Sequence, residues 1–171
     1  MSGSGARFAA VALAVAALVA AGLFFGSPRP DEAPREVPAP VSAAGAPAAS
    51  DEEAVISALS RTMQAFNDND FDAYMAGFDP ESPDRDLTRG LAESLFRTYR
   101  FQVSIDRAEV EKIEGDLATV RAVQTTRRVA GPAFRDNTIE AVHTFRRHEG
   151  RWLLRSTEVE KTTYLDGRPA D

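Results

Sequence analysis

The stretch from Phe101 to Val159 limits the fold more than any other part of the chain. It divides into four β-rich runs separated by three glycine-containing breaks: Glu114-Gly115-Asp116, Ala130-Gly131-Pro132-Ala133 and Glu149-Gly150. If Glu149-Gly150 is a two-residue hairpin loop, His148 faces Arg151, Phe145 faces Leu154, His143 faces Ser156 and Ala141 faces Glu158. If the second break is centred between Gly131 and Pro132, Ala122 faces Ala141, Val120 faces His143 and Ala118 faces Phe145. Both assignments put Ala118, Val120, Ala122, Ile139, Ala141, Phe145, Trp152 and Leu154 on one face, interrupted by Gln124, His143, Ser156 and Glu158. The other face carries Thr119, Arg121, Thr125, Arg127, Glu140, Thr144, Arg146, Arg155 and Thr157, with Val123, Val142, Leu153 and Val159 among them. An antiparallel sheet with one covered side and one wet side follows. In the first run the apolar residues change phase, from Phe101, Val103 and Ile105 to Ala108 and Val110. A one-residue bulge near Asp106-Arg107 restores the alternation and bends the sheet.

The cover comes from the segment before the sheet. Ser50 and Glu53 form a capping box, after which Ile56, Leu59, Met63 and Phe66 recur at helical spacing until Asn67-Asp68-Asn69-Asp70 ends the helix. Asp70 caps a short second helix presenting Phe71, Tyr74, Met75 and Phe78. Beyond Asp79-Pro80 and Pro83-Asp84, the stripe Leu87, Leu91, Leu95 marks a third helix running to about Tyr99.

The front of the chain reads as an address. Phe8 to Phe25 is an uncharged run that, as a helix, spans roughly 27 Å at about 1.5 Å per residue, close to a hydrocarbon core of about 30 Å. Its end in bulky Leu23, Phe24 and Phe25 favours an uncleaved anchor over a signal peptide, whose removal would leave a secreted protein. Arg7 on one side and Arg29 and Arg35 on the other nearly tie in the positive-inside rule. The short front tail of residues 1–7 and the long body behind the run favour a single pass at the cell membrane, with the body outside the cytoplasm. Residues 26–49, rich in proline and alanine, make a semi-stiff tether. The organisation expected is thus tail 1–7, anchor 8–25, linker 26–49, domain 50–165 and a disordered tail 166–171.

Three helices followed by long bent strands, with His148-Glu149-Gly150-Arg151-Trp152-Leu153-Leu154 turning into the last one and Phe66-Asn67-Asp68-Asn69-Asp70-Phe71 closing the first helix, resemble the nuclear transport factor 2-like superfamily. The resemblance covers Ser50 to about Tyr164. It implies an α+β, cystatin-like cone, with three N-terminal helices packed on a curved four-stranded antiparallel sheet. A pocket opening inside and a homodimer through the sheet are often found with this fold. Members include ketosteroid isomerase, polyketide cyclases, dehydratases, transport factors and extracytoplasmic assembly subunits.

For chemistry, His143 stands out, because the register sets it beside Ser156 and diagonal to Glu158, where a carboxylate would raise its pKa and ready it for acid or base work. A polar trio that only satisfies itself is the simpler reading. The residue types of a ketosteroid isomerase site exist as Tyr74, Tyr99 and Asp106, but none aligns with the catalytic positions, so no catalytic residue is assigned beyond the candidates His143 and Glu158. Candidate pocket residues are Phe66, Tyr74, Tyr99, Val120, Gln124, His143, Ser156 and Glu158. Arg121, Arg127, Arg146 and Arg155 form a basic stripe on the wet face, a candidate interface with an acidic partner. No metal or cofactor is expected: there are two histidines, predicted on opposite faces, and no cysteine. Asp68, Asn69, Asp70 and Asp72 lack the glycine and closing glutamate of a calcium loop. With net charge −6 and mixed signs, nucleic acid is not an expected partner. The partners that remain are the membrane, a second copy, a small apolar ligand or an envelope protein. The leading expectation is a membrane-anchored binding or assembly module, and the alternative is a pocket enzyme of the isomerase or dehydratase type using His143 with Glu158.

Overall fold

The computed structural model describes residues 50–168, so the expected tail, anchor and linker at 1–49 lie outside the described residues, as do 169–171. Helices α1 (Asp51–Asn67), α2 (Phe71–Ala76) and α3 (Arg85–Thr98) precede strands β1 (Arg100–Glu114), β2 (Leu117–Ala130), β3 (Asn137–His148) and β4 (Arg151–Tyr164). The strands form one antiparallel sheet in the order β1-β2-β3-β4.

Local signals set the helix ends. Ser50 Oγ accepts from the Glu53 amide while the Glu53 carboxylate accepts from the Ser50 amide, the capping box read from sequence. Asp70 caps α2 through the Ala73 amide. The last side chain of α1, Asn67, donates from Nδ2 to the Val103 carbonyl and accepts at Oδ1 from the Val103 amide, imitating a neighbouring strand against β1.

α1 turns Val55, Leu59, Met63 and Phe66 into the core, joined by Tyr74, Met75 and Phe78. In α3 the expected stripe is corrected: Leu87 is 55% exposed, and Thr88, Ala92, Leu95 and Phe96 are the buried residues. At about 100° per residue, spacings of four drift by about 40° each, so Leu87 lies off the arc that Phe96 pulls inward. Phe96 meets Phe66 at 5.2 Å and Phe71 at 5.6 Å between ring centroids.

The inward face of the sheet carries Ala118, Val120, Ala122, Ile139, Ala141, Phe145, Trp152 and Leu154, all buried. The β2–β3 pairing is the predicted one, Ala122 opposite Ala141 and Val120 opposite His143. The β3–β4 hairpin starts as predicted, His148 opposite Arg151 and Phe145 opposite Leu154. The register then shifts, so that His143 opposes Thr157 rather than Ser156 and Ala141 opposes Val159 rather than Glu158. The cause is an extra residue, Arg155, and a second shift follows at Glu160. β1 has the bulge expected at Asp106 and another at Glu111. A fifth shift leaves Val129 of β2 without a partner across from β1; the other four residues at these irregularities are charged, and all reach another polar group. Asp106 accepts from Ser104 and Thr125, Glu111 and Glu160 both hold Arg121, and Arg155 donates to Asp79.

The segment after α2 docks on the sheet edge. Leu154 N donates to the Gly77 carbonyl at 2.8 Å and Asp79 N to the Leu154 carbonyl at 2.9 Å, a short parallel bridge against β4. Contacts also run beyond the expected boundary at 165, since Arg135 donates to both Asp166 carboxylate oxygens and to the Arg168 carbonyl.

Candidate functional site

Among the described residues, aromatic rings pack the interior under the helices. Phe66 packs against Tyr74, Phe96 and Phe101, with ring centroids 5.5, 5.2 and 6.1 Å away, and Phe78 stands 5.0 Å from Tyr74. These rings share one cluster with Val120, Phe145, Trp152 and Leu154. The pocket candidates Phe66, Tyr74 and Val120 are therefore core residues, and burial pushes the Tyr74 hydroxyl pKa upward. Tyr99 is half-buried and stacks on Phe101 at 5.0 Å.

His143 is fully buried on the inward face, as the register predicts. Its neighbours differ from those expected. Gln124 Nε2 donates to His143 Nε2 at 3.2 Å, which leaves the proton on Nδ1 to be donated to Thr157 Oγ1 at 2.9 Å. Among the described residues no carboxylate faces the ring: Glu158 is exposed and opposite Val142, and Ser156 is opposite Thr144 on the outer side. The expected rise in its pKa is corrected to a fall, to about 4, because burial disfavours the charged ring. Thr157, expected on the wet face, completes the trio because the bulge at Arg155 turns it inward.

The basic stripe is occupied by the protein's own acids. Arg155 donates to Asp79 Oδ2 at 2.7 Å, and Arg146 Nε lies 3.1 Å from the same oxygen without hydrogen-bond geometry. Arg146 also donates to Glu81 at 2.8 Å, and this contact holds the Glu81 carboxyl below its ordinary range. Arg121 lies between Glu160 and Glu111, which raise its pKa. Of the four stripe residues, Arg127 is exposed and is the one with no acid partner among the described residues. Asp79, fully buried beneath two arginines and accepting from the Glu81 amide at 3.0 Å, fastens the α2–α3 loop to the sheet. Its place before Pro80 in a turn-rich stretch hinted at a loop and gave no sign of this anchoring.

An open space lies on the other side of α1. A cleft of about 260 Å³ runs between α1, α2 and the start of β4, and none of the candidate pocket residues lines it. Ala58, Arg61, Thr62 and Ala65 line it from α1, Ala73, Ala76 and the following Gly77 from the α2 side, and Arg151, Trp152 and Leu153 from β4; Arg61, Ala73, Ala76 and Arg151 are exposed, and Trp152 and Leu153 are buried. Gly77 permits the approach of the two helices, since a Cβ there would lie 2.5 Å from Thr62 Oγ1. The signal for this cleft in the sequence is a second, small-residue face on α1, beside the apolar one that meets the sheet.

The model of one protein family, described as anti-sigma-I factor RsgI9, C-terminal domain, matches residues 57–165. No curated protein matches the chain. Among solved structures, a candidate dehydratase of the NTF2-like family from Streptomyces avermitilis is 21% identical, with 64% of this chain and 94% of that chain covered and a TM-score of 0.54. An NTF2-like protein of unknown function from Pseudomonas putida is 16% identical, with coverages of 70% and 92% and a TM-score of 0.55. A protein of unknown function with a cystatin-like fold from Nostoc punctiforme is 14% identical, with coverages of 63% and 87% and a TM-score of 0.51. At these identities the likeness is one of fold, and the fold is nuclear transport factor 2-like, as the sequence resemblance implied.

Proposed function

Because the chain belongs to the family of the anti-sigma-I factor RsgI9 C-terminal domain, we propose that residues 50–168 are a binding module without catalysis, held outside the cytoplasm by residues 8–25 as a membrane anchor and 26–49 as a tether. In this role the domain takes up a small ligand or an envelope protein, and its occupancy is passed on through the tethered chain. The family's name, that of a factor acting against a sigma factor, favours a regulatory version of the role over a purely structural one.

The observation that carries this reading is the filled interior. Between the helices and the sheet, the chain has Phe66, Phe96, Tyr74 and Phe145 in contact with one another or with the same cluster. The alternative, an isomerase or dehydratase pocket using His143 with Glu158, lacks both access and the pairing. His143 is sealed and neutral near pH 7, and Glu158 opens to solvent elsewhere. In this reading recognition belongs to surfaces: the α1–α2 cleft, and the outer face of the sheet as a site for a second copy.

The test has two arms on the full chain. Alkaline phosphatase fused behind Asp171 should be active in intact cells and should sediment with membranes. Activity confined to a cytoplasmic β-galactosidase fusion would overturn the placement. A His143→Ala variant that keeps its fold yet abolishes a turnover measured for the parent would overturn the absence of catalysis.

A further inference from the structure

The cleft between α1, α2 and β4 combines two features that each call for a different part of a ligand. Ala58, Ala65, Ala73 and Ala76 line it with methyl groups, the Thr62 hydroxyl among them is already bonded to the Ala58 carbonyl, and Trp152 stands at the side. Its rim offers Arg61 and Arg151, both exposed. Arg61 donates to Ser57 of its own helix at 2.6 Å, and neither arginine has a carboxylate partner among the described residues. The neighbouring Arg147 differs: Asp51 holds it at 2.6 Å, and its guanidinium lies 4.5 Å from the centre of the Trp152 ring, fixing that wall. In a chain of net charge −6, two uncompensated guanidinium forks beside an apolar slot form a local site for an anion with an apolar body. Guanidinium matches a carboxylate through two parallel hydrogen bonds. The volume, about 260 Å³, falls below the roughly 300 to 1,000 Å³ of drug-sized pockets, so the occupant is small. Shallow walls of alanine methyls and an indole suit a flat ring.

We infer that this cleft binds a small planar organic acid, an aryl or heteroaryl carboxylate, with its ring against the alanine floor and Trp152 and its carboxylate at Arg61 and Arg151. The inference rests on the binding-module reading and gives that module a ligand class.

Trp152 is the chain's one tryptophan and lines the cleft, so selectively excited tryptophan fluorescence of the full chain in mild detergent reports on it, and the variants below separate cleft binding from changes in the core. Benzoate should give a saturable change. Benzamide, the same shape without the charge, should bind about tenfold more weakly or worse, the loss expected from one charge-assisted hydrogen bond. Inorganic phosphate, with no apolar body, should give no saturable change. Arg61→Ala and Arg151→Ala should each weaken benzoate about tenfold, and together about a hundredfold. Arg97→Ala, on α3, should leave it unchanged. Ala73→Leu should block the slot, providing a second variant that keeps both arginines. Equal binding of benzamide and benzoate, phosphate binding as tightly as benzoate, full affinity in the double arginine variant, or no saturable response would each overturn the inference. If benzoate fails while the same protein is stabilised by another ligand in a thermal-shift screen, the cleft assignment falls and the module reading stands. If an aryl acid binds and NMR of the spent solution shows it converted, the site stands and the absence of catalysis falls.

Discussion

The two sides of α1 treat volume in opposite ways. Towards the sheet it presents Val55, Leu59, Met63 and Phe66, and the space is filled by rings. Towards α2 it presents Ala58, Thr62 and Ala65, and a cleft remains. One helix thus supplies both the stability of the domain and its open surface, and the division follows from side-chain size alone. Residues that hold the fold and residues available for recognition need not overlap.

The strongest way to break this division is to empty the filled side. Phe66→Ala should cost about 3 to 5 kcal/mol, the usual range for a large core aromatic, measured by urea unfolding, while benzoate binding to the still-folded fraction persists. A small effect would mean the rings under the helices are not the support of the fold.

Second comes acid. His143 has an ordinary pKa near 6.5 and about 4 when folded, so between these values the unfolded chain binds a proton that the native state refuses. Stability should therefore be intact above about pH 6.5 and fall as pH drops towards 4, by roughly 3 kcal/mol over the window. Loss of that slope in His143→Gln, seen in urea midpoints against pH, would assign it to this ring.

Third, a matched pair of substitutions sharpens the contrast directly. Ala122→Leu, on the buried inward face, should cost about 1 to 3 kcal/mol through overpacking. Ala73→Leu, in the exposed floor of the cleft, should change stability by less than about 1 kcal/mol, with gain as the expected sign as methylenes leave water. Equal costs in thermal melts would mean the cleft is as tightly specified as the core. The smallest effect is expected at the rim, where Arg61→Ala should stay within about 0.5 kcal/mol of the parent, since its one described hydrogen bond is to its own helix.

Much of the fold was legible because its determinants are local. The Ser50–Glu53 box, the Glu149-Gly150 turn and the Ala122–Ala141 pairing each depend on residues close in sequence or on strict alternation. The bulge at Asp106 was legible because apolar residues mark the phase on both sides of it. The bulge at Arg155 carries the same signal, Leu154 on even positions and Val159 on odd ones, but the intervening Ser156-Thr157-Glu158 has no apolar residue to show where the change occurs. That one missed residue put Ser156 and Glu158 beside His143 in place of Thr157, and with them the reading of a carboxylate-assisted histidine. The cleft was illegible for another reason: it is made by missing volume on segments brought together only in the folded chain. Asp79 illustrates the same limit, since nothing around Asp79-Pro80 tells that Arg146 and Arg155 converge there from strands far along the sequence.

Arg121 ties together two irregular strands that do not touch each other. Glu111 reaches it from β1 and Glu160 from β4, on opposite sides of the sheet's middle. Exposed pairs of this kind add little to the folding free energy, so the effect falls on shape. Concentrated electrolyte would slacken the lacing, leaving the interior rings and the histidine seal as they are.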